Sequence, residues 1–212
     1  MEVMEAIRTR RSIRKYRADV VDDKTVEIVL EAACLAPSWA NSQCWWFVVV
    51  RDSATRNKLA DTLIGVSGKA GQSLLIPPDG EVIAPKKGIP ERPNRAADAV
   101  RNAPVVVVAC AEMGKSGYYS RDPGEAVTDK GDWYMYDVAL AMQNLTLAAH
   151  SLGLGTVHIG AFDARQVADI LGIPPEFSVV ALTPLGYPDE EPQARPRKEK
   201  AEVVFFERYG GK

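Results

Sequence analysis

Apolar positions along the chain recur with two different periods, and the switches between them outline its elements. Val3, Met4 and Ile7 share one helical face, which predicts a short first helix over 1–10 running into the basic stretch Arg8 to Arg14. Asp22 and Asp23 are candidate N-caps for a second helix with Val26, Val29, Leu30 and Ala33 on its apolar stripe, stopped by Pro37. Trp45 to Val50 is an unbroken aromatic and β-branched run, the pattern of a strand covered on both faces. Ser53 opens a helix carrying Leu59 and Leu63, and a short helix over roughly 95–102 precedes a second buried strand, Pro104 to Cys110. Trp133 to Leu152 is the longest helix, apolar on nearly every face, and such a helix belongs in the protein's centre or in a subunit interface. Gly153 and Gly155 end it, and Thr156 to Gly160 reads as a strand. Asp163 caps a helix closed by Gly172, Val179 to Tyr187 is a fourth strand, and Val203 to Phe206 resembles a fifth.

Between these blocks lie two loop-like excursions, 65–94 and 114–132. The first, rich in Gly, Pro and charge, is too long for a plain connector in a compact domain and reads as an active-site cover or a mobile excursion. Helices and strands mix, with long crossovers and no hairpin signal. The residues alone therefore predict one α/β-type domain over 1–212, with a central sheet and helices on both faces. The terminal strand is set apart by a polar, proline-rich arm from Pro188 to Lys200, an arrangement suited to pairing with another chain's sheet edge.

Composition narrows the function. A net charge of −2 over 212 residues is no global reason to expect nucleic acid or an anionic membrane, so any basic site is local. No segment approaches the length of apolar chain that crosses a bilayer, and the N-terminus lacks a signal-peptide core, so the cytoplasm is the expected compartment. Cys34, Cys44 and Cys110 each sit in an apolar stretch and read as buried, reduced packing residues, not zinc ligands. With only His150 and His158, and no nucleophile elbow or metal-binding motif, the chain is a poor candidate for histidine-centred catalysis or a metal site. Its polar inventory suits holding a phosphorylated aromatic cofactor.

Four segments could do so. Arg10-Arg11-Ser12-Ile13-Arg14 concentrates guanidiniums, which grip phosphate by paired charge-assisted hydrogen bonds, although it would equally serve as favourable charge at a helix C-terminus. Pro37-Ser38-Trp39-Ala40-Asn41-Ser42-Gln43-Cys44-Trp45 could face a heteroaromatic edge or simply stop a helix. Gly153 to Gly160 lacks the Rossmann spacing, as Gly65 to Lys69 lacks that of a P-loop, and by itself is a helix C-cap leading into a strand. Arg195-Pro196-Arg197-Lys198 is a second basic cluster, either a solvated charge run or a proline-stiffened one.

In this order and register the four segments resemble the FMN-dependent nitroreductase family. The resemblance rests on R-R-S-x-R, A-P-S-x-x-N-x-Q-x-W, A-M-Q-N-L-x-L-A-A-H-x-L-G-L-G-T leading into G-T-V-x-I-G-A-F, and the basic arm. It implies an α+β fold, an α/β/α sandwich with one central sheet, built as an intertwined homodimer whose C-terminal strands are exchanged and whose two FMN molecules lie in the interface. By position, Arg10, Arg11, Ser12 and Arg14 would hold the FMN phosphate, ribityl chain and pyrimidine edge, and Arg195 and Arg197 would complete the phosphate clamp. Pro37, Ser38 and Asn41 would pack on the flavin held mainly by the other subunit. Thr156, Val157, His158, Ile159 and Gly160 would line the isoalloxazine.

The implied reaction is ping-pong transfer from NAD(P)H through flavin N5 to a nitroaromatic, quinone or similar small acceptor, with no side-chain acid or base. The scaffold also serves dehalogenation, enone reduction, azoline oxidation and flavin cleavage, and a non-catalytic FMN-binding module is a further alternative. Two departures stand out: Cys44 replaces the proline usual before Trp45, and Asn94-Arg95-Ala96-Ala97-Asp98 keeps the asparagine but not the lysine of an Asn-x-x-Lys pair.

Overall fold

In the computed structural model, residues 1–63, 94–118 and 125–211 are described. The 65–93 part of the first excursion and 119–124 of the second lie outside them. The described fold is built around β2 (Val105–Glu112), whose side chains are buried along almost its whole length. Successive residues of a strand point to opposite faces, so Val106, Val108 and Cys110 enter one core and Val105, Val107, Ala109 and Ala111 the other. β1 (Trp45–Val50) and β4 (Phe177–Gly186) flank β2, and the two-residue β3 (Gly155–Thr156) borders β4. The order is β1-β2-β4-β3, with every pair antiparallel.

Helices close both faces. α3 (Ser53–Asp61), α4 (Arg95–Asn102) and α6 (Ala164–Leu171) supply Leu59, Val100 and Val167 to the first core. α2 (Asp23–Cys34) and α5 (Tyr134–Ser151) supply Val29, Val138 and Leu145 to the second. Each such side chain contributes roughly 1.5–3 kcal/mol on burial. The helix starts follow the sequence: the carboxylates of Asp22, Asp52 and Asp163 and the amide of Asn94 accept from backbone N–H groups of the first turn, and Gly172 closes α6 in the left-handed conformation. Asn94 is thus the cap of α4. No helix among the described residues is long and apolar enough to cross a membrane.

The structure corrects several expectations. β1 is not covered on both faces: as an edge strand it buries only Trp45 and Val50 and leaves Trp46 and Val49 exposed. The α/β-type reading gives way to α+β, because strands buried on both faces carry the same apolar signature whichever way they run. The strand over Thr156 to Gly160 shrinks to Gly155–Thr156 plus a single bridge from Ile159 to Leu182. Val203 to Phe206 pairs with no strand among the described residues; a capping box between Glu199 and Glu202 starts a helical turn, α7 (Lys200–Val203), and the residues beyond it stay outside the four-stranded sheet. The stripe of α1 (Val3–Thr9) faces outward: Val3, Met4 and Ile7 are exposed and only Ala6 is buried. Cys44 and Cys110 are buried, but Cys34 is exposed, one position past the Val26–Val29–Ala33 stripe.

Candidate functional site

Helix α1 ends at Arg10, where the backbone becomes extended and runs beside β3. Ser12 bridges Thr156, and the Ile13 N–H donates to the Thr156 carbonyl at 3.0 Å. A Cβ on Gly155 would lie 2.6 Å from Ile13 Cγ1, so this close approach requires glycine. Farther along, Tyr16 bridges Pro188, Arg17 N–H donates to the Tyr187 carbonyl at 2.9 Å and Asp189 N–H to that of Lys15 at 3.0 Å. These contacts fold the beginning of the C-terminal arm back over the arginine run.

The result is a cleft of about 830 Å³ lined by Arg8, Arg10, Arg11, Ser12, Arg14, Arg95, Gln143, Glu190, Arg195 and Arg197. Seven guanidiniums therefore surround one carboxylate. Glu190 is already engaged: its Oε1 accepts from the backbone N–H groups of Arg14 at 2.5 Å and Lys15 at 3.1 Å, and its Oε2 pairs with Arg95 at 3.0 Å. Arg11 donates to the carbonyls of Arg8 and Arg10, which fixes its direction. Arg10, Arg14, Arg195 and Arg197 have no ion-pair partner among the described residues. This donor set fits an anion of phosphate type, whose oxygens would satisfy guanidinium forks left without protein acceptors.

An adjoining cleft of about 550 Å³ shares Arg10, Arg11 and Glu190 and extends over Thr9, Thr146, His150, Gly155 and Thr156. Beyond those shared charges and Glu191, its polar side chains, Thr9, Thr146, His150 and Thr156, are hydroxyls and one imidazole held by hydrogen bonds. Thr9 donates its hydroxyl proton to the Glu5 carbonyl at 2.7 Å, so His150 Nε2, 2.8 Å from the same oxygen, is the donor of that pair. His158 contacts the hydroxyls of Thr146 at 2.9 Å and Thr183 at 3.1 Å through its two ring nitrogens. Desolvation, then the nearby Arg10 charge, holds both imidazoles below their ordinary titration range; Arg11 adds to the effect at His150. Neutral imidazole suits a hydrogen-bonding wall beside an arginine cluster.

A second constellation lies at the other end of α5. Asp137, in the first turn of that helix, is 1% exposed. The Trp39 N–H donates to both its oxygens at 3.1 Å, and the hydroxyls of Ser116 and Ser42 donate to Oδ2 at 2.7 and 3.2 Å. The Cys44 thiol completes the set at 3.7 Å, and burial and this carboxylate push its pKa up to about 12. Around this anchor the turn places Ala40, Asn41 and Gln43 in the left-handed region, at φ 44°, 58° and 46°. The Trp39 ring packs 5.3 Å from that of Trp133, which meets Tyr136 edge-on at 5.5 Å.

The structure brings Arg10, Arg11, Ser12, Arg14, Arg195 and Arg197 to one cleft and places Thr156 in the adjoining one. Val157 and Ile159 instead turn their side chains into the core, at 5% and 6% exposure, leaving His158 and Gly160 on the outside. Pro37, Ser38 and Asn41 belong to the turn at the far end of α5, apart from their own chain's arginines. Sequence reasoning missed Glu190, hidden in a run of like charges, and Arg8, Thr9, Arg95 and Thr146, which only tertiary packing assigns. It also missed Asp137, whose signal was present: a carboxylate beside Val138 and Ala141 in an otherwise apolar helix.

The family model described as "Nitroreductase family" matches residues 7–187. The chain is 32% identical over 217 aligned residues to a Thermus thermophilus protein named NADH dehydrogenase, covering 97% of this chain and 96% of that one. It is 31% identical over 183 residues to 5,6-dimethylbenzimidazole synthase of Rhodospirillum rubrum, covering 86% and 80%. Among solved structures, it is similar to the NADPH:FMN oxidoreductase of Vibrio harveyi complexed with NAD+, with a TM-score of 0.71, 29% identity and coverage of 98% of this chain and 77% of that one.

Proposed function

This chain belongs to the nitroreductase family, and from that premise we propose that it is an FMN-dependent oxidoreductase passing electrons from NAD(P)H to a nitroaromatic, quinone or similar small acceptor. The observation that carries the reading is the cleft in which seven guanidiniums face one carboxylate that is already engaged. The names of the Thermus and Vibrio relatives support nicotinamide-linked redox chemistry, and the Vibrio name supports FMN.

FMN, when bound, would supply the redox chemistry at its N5, with hydride entering from the nicotinamide and electrons leaving to the acceptor in two half-reactions. The chain's own residues bind and orient. Arg10, Arg11, Ser12 and Arg14 would hold the FMN phosphate, ribityl chain and pyrimidine edge, Arg195 and Arg197 would complete the phosphate clamp, and Arg14 would offer positive charge to the reduced cofactor. Backbone of Thr156 to Gly160 borders the ring. His158, the one side chain of that segment that reaches the surface, has both ring nitrogens in contact with the hydroxyls of Thr146 and Thr183.

The dimer is part of the same proposal. Two single-chain features support it: the outward stripe of Val3, Met4 and Ile7, and the exposed Val203, Val204 and Phe206 at the end of an arm that joins no strand of its own sheet. The partner would then supply Pro37, Ser38 and Asn41 to this chain's flavin, in a single-domain cytoplasmic protein. The name of the Rhodospirillum relative, 5,6-dimethylbenzimidazole synthase, favours a second reading, a specialised activity on the same scaffold.

Purified protein is expected to be yellow, to bleach on adding NADPH or NADH without oxygen, and to recover its colour with a quinone. Protein that takes up no FMN refutes the reading, and protein that binds FMN without bleaching reduces it to a binding module. Truncation before Glu202 is expected to abolish dimerisation; a soluble, dimeric, flavin-loaded truncate refutes strand exchange.

A further inference from the structure

We propose that Asp137 is a positioning residue that presets the turn Ser38–Cys44 against the flavin and couples it to the loop that carries Ser116. The inference rests on the FMN reading above and goes beyond it, since none of the cofactor-holding residues named there supplies this anchor.

Three observations converge. First, a carboxylate that is almost fully buried needs compensation, and here it receives it from one backbone N–H, two hydroxyls and a thiol, all from outside its own helix. Three of these donors, Trp39, Ser42 and Cys44, belong to the turn, and the fourth, Ser116, belongs to the loop after β2. Second, the turn is costly to hold. Three non-glycine residues within four positions adopt positive φ, a conformation that persists only where surrounding contacts over-determine it. Internal bonds help, with the Gln43 N–H donating to Ser38 Oγ at 2.9 Å and Ser42 N–H to the Trp39 carbonyl at 2.7 Å. Among the described residues, only Asp137 fastens both ends of the strained stretch to the helix. Third, the Ser116 loop is itself tightly built. Gly117 lies at φ +86°, where a Cβ would sit 2.5 Å from the Gly131 carbonyl, and the Trp133 N–H donates to the Ser116 carbonyl at 3.0 Å. One carboxylate therefore fixes the turn, the loop and the start of α5 as a unit.

This assigns a role to the replacement of the usual proline by Cys44. The thiol, kept protonated by burial and by Asp137, donates a hydrogen bond that a proline ring cannot. The strained turn is held from the helix side instead of by its own ring constraint.

The test uses the FMN-loaded enzyme. Asp137→Asn is expected to weaken FMN binding at least ten-fold and to shift the visible flavin band, while flavin release stays salt-dependent because the arginine cleft is untouched. The double variant Ser42→Ala/Ser116→Ala, which leaves the carboxylate in place, is expected to move the same two readouts in the same direction. Asp22→Ala, which strips the cap of α2 and lowers stability, is expected to leave both unchanged and separates positioning from general destabilisation. Unaltered flavin affinity and band shape in Asp137→Asn, or equal changes in Asp22→Ala, overturn the proposal. Wild-type protein that takes up no FMN at all overturns the FMN reading and this proposal with it.

Discussion

The two ends of α5 solve opposite problems. At its C-terminal end, charge is crowded and left at the surface: Arg10, Arg14, Arg195 and Arg197 converge on a cleft with a single engaged carboxylate. At its N-terminal end, a single charge is hidden, and backbone strain is held by hydrogen bonds to Asp137. About 20 Å of helix, at 1.5 Å per residue, separates Asp137 from His150. The arginine end can attract a ligand from a distance, because unpaired guanidiniums act through their long-range field and weaken as salt screens it. The turn end can only shape a ligand already present, because its polar groups are turned inward and short-ranged. Long-range attraction and short-range shaping of the ligand are thereby assigned to different places in the chain.

This division is open to attack from both sides. The largest effect is expected from Arg10→Ala combined with Arg197→Ala. Losing two charged phosphate contacts at about 1.5–3 kcal/mol each lowers FMN affinity by about 100-fold or more, and titration of flavin fluorescence measures it. A change of a few-fold only would mean that the arginines are a solvated charge run. Next in size is Gly155→Ala, which forces a methyl into Ile13. Overpacking of that kind costs about 1–3 kcal/mol, so thermal unfolding should drop by several degrees, and an unchanged melting temperature would show that the β3 junction is soft.

Smaller effects sharpen the contrast. Glu190→Gln keeps an acceptor for the Arg14 and Lys15 N–H groups but removes the one negative charge facing the cleft. A partly exposed charge is worth at most about 1 kcal/mol, so FMN affinity should rise up to about five-fold at low salt, and weaker binding would instead make geometry the dominant factor. The smallest effect is the pH response of His150 and His158. Their folded-state titration lies below the usual imidazole value of about 6.5, so the unfolded chain takes up protons first as pH falls. Their contribution is fully present above that value and is lost below it. Melting curves from pH 7.5 to 5 should show this loss, and His158→Gln should flatten it; an identical slope in the variant removes His158 from the account.

Much of this was legible along the chain. The caps Asp22, Asp163 and Gly172, the buried run at Val105 and the long apolar helix all follow from local propensity and periodicity, which need no partner to be read, whereas the run at Trp45 proved to be an edge strand with only its two ends buried. The basic pairs at Arg10–Arg14 and Arg195–Arg197 were also visible as phosphate candidates. Where the reading failed, the deciding contact was distant in sequence. Strand direction was invisible because burial on both faces erases the alternation that distinguishes pairings. The stripe of Val3, Met4 and Ile7 is a correct helical face, but whether it meets its own core is settled by where α1 lands.

The residue types and their order thus determined most of the elements, the candidate phosphate-binding arginines and the family, because each of these is encoded in short-range chemistry. Only the tertiary structure decided which arginines share a cleft, that Val157 and Ile159 serve the core while His158 stays outside it, and that Asp137 anchors a turn nearly a hundred residues earlier in the chain. Those assignments depend on which buried donors meet which acceptor, and long-range packing alone sets that.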